Sequence, residues 1–187
     1  MVRSYTRRQF AAQEARYEEP SPEATTNYDV TATGLSVTDA AESSAWLEQP
    51  TLIDAAGGVT STARDFARFS AMVLGDGRLG DVELLRPETA RAARSNLLPA
   101  GVVAPSNVTP GEAGRNSGYG AGMRVLGAAR GAKPFQSAGT VSHGGAAGTL
   151  WFADPTHKAT LVFMTQTMPP DPGRAPALLT AVEADAV

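Results

Sequence analysis

Cysteine is absent from the 187-residue chain, which excludes disulfides, thiolate catalysis, Cys-ligated zinc and iron–sulfur clusters together. Histidine is scarce: His143 and His157 are the two present, too few for a histidine-rich metal site, so neither a metal nor an organic cofactor is expected. No uninterrupted apolar run approaches the roughly 18 residues that read as a membrane span. Sixteen Lys+Arg against nineteen Asp+Glu leave a formal net charge of −3, which supplies no overall positive field for phosphate backbones or anionic membranes. Nucleic acid is therefore not an expected partner. The phosphate-binding motifs G-x-x-x-x-G-K-[ST] and strand–G-x-G-x-x-G–helix are both missing, which removes the best marker of nucleotide chemistry. So is the G-x-S-x-G elbow: its nearest string, Thr140-Val141-Ser142-His143-Gly144, lacks the first glycine and leads into a strand rather than a helix.

What is present suits a folded chain. The hydrophobic fraction of 42% and charged fraction of 19% lie a little below roughly 45–50% and 25% for globular domains, and far from the disordered extreme. The length fits one domain, or part of a larger one. Near the start, Thr6-Arg7-Arg8-Gln9-Phe10 has the look of a twin-arginine export signal. However, Glu14, Arg16, Glu18 and Glu19 stand where such a signal needs an apolar stretch. An arginine-rich surface segment, with cytoplasmic location by default, is the expectation.

Residues 1–50 are polar and poorly periodic, read as a loop-rich segment with Tyr28-Asp29-Val30 as a short strand candidate. The remaining 51–187 carry the core-forming segments. After Gly57-Gly58, hydroxyl residues precede Phe66, Phe69, Met72 and Val73 on one helical stripe, predicting a helix near 62–74. Gly75-Asp76-Gly77 and Gly80-Asp81 bracket a short hairpin or loop. Pro87, Glu88 and Thr89 open a second helix expected near 87–98, and 99–117 reads as loop. Strands are expected near 119–126, 147–153 and 159–166, the last two joined by the turn Asp154–Lys158. Leu150-Trp151-Phe152 and Leu161-Val162-Phe163-Met164 are continuously apolar, so both faces of that hairpin need cover; a terminal helix near 175–187, with Leu178, Leu179 and Val182 on one side, supplies part of it. Trp151, Phe152 and Phe163 are assigned to core packing and His157 to a solvated turn. Ser142 and His143 do not form a dyad, because neighbours on an extended chain point to opposite faces.

Two strings carry a further signal: Gly57-Gly58-Val59-Thr60-Ser61-Thr62-Ala63-Arg64-Asp65-Phe66-Ala67-Arg68-Phe69, and His143-Gly144-Gly145-Ala146-Ala147-Gly148-Thr149-Leu150-Trp151-Phe152-Ala153-Asp154-Pro155. Together they resemble the C-terminal half of the serine β-lactamase-like family, which includes class C β-lactamases, penicillin-binding D-alanyl-D-alanine carboxypeptidases and related esterases and amide hydrolases. The resemblance spans about Leu52 to Gln166. It implies that His143 occupies the catalytic third active-site element, a Lys-Thr-Gly strand that in esterase-like members reads His-x-Gly or His-Gly-Gly. It also implies that Gly144 and Gly145 let substrate approach the strand, and that Ala146 donates a backbone N–H to an oxyanion hole. Without the family match, His143 would read as a strand cap beside a glycine bend.

The same resemblance makes two absences informative. No serine has lysine three residues on, and no Tyr or Ser has asparagine two residues on, so the family's Ser-x-x-Lys nucleophile and Tyr-x-Asn element are missing. The expected fold is therefore a mixed α/β (α+β) β-lactamase/transpeptidase-like domain, an antiparallel sheet with helices on both faces, incomplete at its N-terminus. The expected function is ester, amide or β-lactam hydrolysis through a serine acyl-enzyme in a complete protein, with this chain inactive by itself and a missing N-terminal half as its partner. A non-catalytic binding or scaffold domain, or one half of a split enzyme, are the alternatives. Histidine in place of lysine favours esters or amides, since a neutral imidazole grips a carboxylate less well than a fixed cation.

Overall fold

Strand-forming and helix-forming spacings organise the computed structural model, which describes residues 25–47, 61–102, 117–171 and 173–185. The chain divides into two compact units, Met1–Thr60 and Ser61–Val187. The strings Thr6–Phe10 and Gly57–Thr60 lie outside the described residues, as does most of the 99–117 loop.

In the first unit, β1 (Asn27–Thr31) pairs antiparallel with β2 (Gly34–Asp39). The stretch expected to be largely loop thus holds a hairpin, whose period-two pattern is brief. Tyr28 pairs with Val37 and Val30 with Leu35, which sets all four on one face. Two short 3₁₀ turns follow, Ala41–Ser43 and Ala45–Leu47, and Ser44 between them donates to Asp39 Oδ2 at 2.6 Å.

The second unit begins with α1 (Ala63–Leu74), whose Thr62 cap accepts from Asp65 N–H at 3.1 Å. Its stripe buries Met72 and Val73, while Phe66 packs against the core and Phe69 stays 41% exposed. A small hairpin, β3 (Arg78–Leu79) with β4 (Val82–Glu83), leads to α2 (Pro87–Ala93). This helix stops short of the expected residue 98. Ala93 O instead accepts from Ala121 N–H at 2.7 Å, Leu97 N–H donates to Tyr119 O at 2.8 Å and Asn96 Oδ1 accepts from Tyr119 N–H at 3.0 Å. The backbone after Ala93 thus finds partners in the sheet rather than in another helical turn.

Five antiparallel strands follow in spatial order β5 (Ser117–Tyr119), β6 (Arg124–Leu126), β7 (Val141–Gly144), β8 (Leu150–Asp154) and β9 (Ala159–Phe163). The single strand expected over 119–126 is two, folded back at Gly122, whose φ of 74° suits a turn that a side chain would strain. The Val141–Gly144 segment, read as a lead into the next strand, is the central strand of this sheet. Strand 147–153 begins instead at Leu150, because 145–148 is taken up by a turn, and strand 159–166 ends at Phe163.

Every residue of β8 is buried. On one face Trp151 and Ala153 join Met72, Val73, Met123, Val125 and Val141, with Val162 and Phe66 against them. On the other, Leu150 and Phe152 meet Phe135, with Leu161 and Phe163 of β9 and Leu179 and Val182 of the terminal helix α3 (Arg174–Asp185) against them. One polar residue lies fully buried inside the α1 stripe. Ser70 Oγ accepts from Trp151 Nε1–H at 2.7 Å and contacts Thr160 Oγ1, whose own hydrogen goes to Phe152 O at 3.1 Å. Removing the hydroxyl leaves a buried indole N–H without its acceptor, at a cost of about 1–3 kcal/mol. Ser70→Ala is therefore expected to lower the urea midpoint by that amount of stability with an unchanged m-value, although alanine is the better helix former.

Candidate functional site

On the central strand β7, His143 is exposed near the strand's end, opposite Trp151 in register, while neighbouring Ser142 is buried. The two side chains thus diverge, and no dyad forms between them. His143 and Tyr119 meet edge to face, with ring centroids 6.4 Å apart. Nε2 lies 3.1 Å from the Tyr119 hydroxyl and Nδ1 lies 2.7 Å from Gly144 O. Tyr119 was not a candidate from the sequence. Its signal, an aromatic set between Gly118 and Gly120, is too common to single out, and 24 residues separate it from His143.

The other candidates, Gly144, Gly145 and Ala146, are contiguous with His143, so their proximity is covalent and is no test of a role. Strand β7 ends at Gly144, and Gly145 closes the turn to β8: its N–H donates to Thr149 O at 2.9 Å and its carbonyl accepts from Gly148 N–H at 3.0 Å. A side chain at Gly145 would meet Thr149 Oγ1 at 2.3 Å, so glycine here admits the protein's own threonine. Ala146 is exposed at the tip. Ala147 O accepts from Thr165 Oγ1 and from Thr167 N–H, the latter at 3.3 Å, which ties the turn to the chain leaving β9. On the strand next to β7, Arg124 is buried, and burial lowers its pKa against a partial restoring effect of Tyr119. Among the described residues, no cluster of three or more His, Cys, Asp or Glu side chains could hold a metal.

A Ser–His–Asp group also occurs, formed by Ser137, His157 and Asp154, and its geometry is structural. Ser137 Oγ and Asp154 Oδ2 both face Nδ1 of His157, at 3.1 and 2.9 Å. A catalytic base would hold its carboxylate on one ring nitrogen and its nucleophile on the other. Nε2 is instead directed to Ala132 O at 3.0 Å. Ser137 is buried and gives its hydrogen to Asp154 Oδ2 at 3.1 Å. Asp154, with none of its side chain exposed, also accepts from Phe135 N–H at 2.8 Å, Thr156 N–H at 2.8 Å and His157 N–H at 3.1 Å. His157, expected to be solvated, is a clasp between the β8–β9 turn and the segment 132–137, with 30% of its side chain exposed. Both ring nitrogens face acceptors, Asp154 Oδ2 and Ala132 O.

Comparison with known proteins places this arrangement in context. A family model described as Beta-lactamase matches residues 4–186. Two Mycobacterium tuberculosis proteins, Protein Rv1367c of strain H37Rv and Uncharacterized protein MT1414 of strain CDC 1551, are each 36% identical over 124 residues, 64% of this chain. The match covers 30% of each of them, so the chain spans well under half the length of these relatives. Among solved structures, unliganded simvastatin synthase (LovD) of Aspergillus terreus superposes with a TM-score of 0.61 at 14% identity, over 84% of this chain and 39% of its own. EstCE1, described as a hydrolase with promiscuous acyltransferase activity, gives 0.58 at 19% identity, over 94% of this chain and 49% of its own. These likenesses show the shared fold: a mixed α/β domain with an antiparallel sheet.

The Asp154 clasp has a measurable pH signature. Burial by itself pushes the carboxyl pKa up, but the donors from His157, Phe135 and Ser137 outweigh it and hold the pKa below its ordinary value. A depressed native pKa gives stability that is complete above the unfolded value of about 3.9 and is lost as pH falls through the native one. Asp154→Asn is expected to cost about 3 kcal/mol at neutral pH, seen as a Tm lower by roughly 6–12 °C. The difference should narrow below about pH 4, and a gap that stays constant through acid would contradict the assignment.

Proposed function

The chain belongs to the Beta-lactamase family, whose members are serine hydrolases, and from that premise we propose that it supplies the third-element wall of an acyl-transfer site without supplying the nucleophile. The observation that carries this reading is the absence of Ser-x-x-Lys and Tyr-x-Asn from a chain that keeps His143-Gly144-Gly145. In this reading His143 orients the bound acyl group from β7. Gly144 leaves the strand's end low enough for an ester or amide to lie along it. Ala146, exposed at the turn, gives its N–H to the oxyanion of the tetrahedral intermediate, a contact of the kind worth roughly 10²–10³ in rate. The serine and its lysine come from a segment outside this sequence, as an N-terminal half or a separate chain. Esters and amides are the substrate class, the reacting carbonyl passing through an acyl-enzyme on that serine.

The 187-residue chain is accordingly expected to hydrolyse nothing by itself. Incubated with a fluorophosphonate or a β-lactam probe it should show neither a covalent adduct by mass spectrometry nor a burst of product. Mixed with a family segment that carries both missing motifs, labelling should appear on that segment's serine, and His143→Ala should lower kcat/KM of the assembled enzyme by about 10²-fold. A burst and adduct on the isolated chain would overturn the reading. Ligand binding by the isolated chain, with no labelling in any mixture, would instead favour a scaffold domain that binds without turnover.

A further inference from the structure

The His143 ring stands between a group that can only accept a hydrogen bond and one that can donate. Gly144 O lies 2.7 Å from Nδ1, and a carbonyl has no hydrogen to give, so Nδ1 bears the N–H. A neutral imidazole has a single N–H, so Nε2 presents a lone pair, and the Tyr119 hydroxyl at 3.1 Å donates to it. The donors of this pair are then both consumed. The phenol oxygen of Tyr119 keeps lone pairs and can still accept a hydrogen bond. Arg124, beside Tyr119 in register on β6, is buried, with 8% of its surface exposed.

We propose that Tyr119 is a positioning and specificity-determining residue of the site, fixing His143 in its Nδ1–H tautomer so that the wall accepts hydrogen bonds. Such a wall selects neutral acyl substrates that carry an N–H or O–H donor near the reacting carbonyl. It disfavours substrates with a carboxylate there, because a carboxylate is itself acceptor-only and gains nothing from the phenol oxygen, whereas a lysine in place of His143 would offer an ammonium. The specificity half of the proposal rests on the reading that β7 lines the acyl-transfer site. The tautomer half does not.

Long-range ¹H–¹⁵N correlation on the ¹⁵N-labelled full chain, at about pH 8.5 where an ordinary imidazole is neutral, reads the tautomer directly. The expected pattern for His143 is a protonated Nδ1 and a bare Nε2. Tyr119→Phe should move its population toward the Nε2–H form by about fivefold, the ratio that one hydrogen bond of roughly 1 kcal/mol represents, while the His157 signals stay in place as a check on folding. A wild-type His143 that is mainly Nε2–H, or a variant with an unaltered ratio, overturns the proposal. Should the variant lose its amide dispersion, the wild-type pattern decides. Titration with N-methylacetamide is expected to shift the His143 signals at concentrations about tenfold lower than sodium acetate, and no shift with either probe, or the reverse preference, overturns the specificity half. Because neither measurement involves acyl transfer, their outcome is separate from that of the probe-labelling experiment.

Discussion

Burial of β8 on both faces is the constraint from which the rest of the second unit follows. An apolar strand that faces solvent on neither side needs two layers of cover, and the chain provides them in order. Helix α1 precedes the sheet and packs beneath Trp151, and α3 follows it, reaching Leu150 and Phe152 through Leu179 and Val182. With β8 fixed between these layers and β9 beside it, β7 occupies the centre of the sheet, and its far end leads into the exposed turn of Gly145 and Ala146. His143 is exposed there because α1 covers Trp151 but does not continue over the end of β7. The candidate site is thus the rim of the core, held by the rigid part of the fold.

The polar groups inside that core behave differently from those at the rim. Ser70, Thr160 and Trp151 form a closed relay in which each donor meets an acceptor. Asp154 gathers donors from two segments of chain, 135–137 and 156–157. At His143, by contrast, the ring contacts the Tyr119 hydroxyl and the Gly144 carbonyl on an exposed stretch of strand. The Ser137–His157–Asp154 group makes the contrast useful: its residue types suggest catalysis, and its shared Nδ1 contact and burial show architecture instead.

Much of the sheet was legible in the sequence because apolar continuity is a local property. Leu150-Trp151-Phe152 and Leu161-Val162-Phe163 announce strands with two covered faces, and the Phe66–Val73 stripe announces the helix beneath them. Misreadings fell where the deciding partner is distant in sequence. The end of α2 is set by backbone groups around Tyr119 and Ala121. Likewise the role of His157 depends on Ala132, Phe135 and Ser137, in a stretch with neither helical nor strand periodicity. The division of 119–126 into two strands is instead a local matter, a hairpin turn at Gly122 that the apolar pattern does not mark. For the candidate site, the family resemblance directed attention to His143, but its side-chain hydrogen-bond partner is a tyrosine two strands away.

The buried relay between α1 and β9 also acts as a key for strand alignment. Hydrophobic residues are interchangeable partners, and β9, with Leu161, Val162 and Phe163 in succession, could satisfy a greasy slot in more than one alignment against β8. Thr160 opposite Ala153 reaches Ser70 and the Phe152 carbonyl in the observed alignment. A slide by one residue turns Thr160 toward the opposite face and takes its hydroxyl away from the fully buried Ser70. The wrong alignment is thereby made expensive at a place where oil alone could not tell the two apart, so a serine that interrupts an otherwise apolar stripe serves as an error-correcting mark during assembly of the sheet.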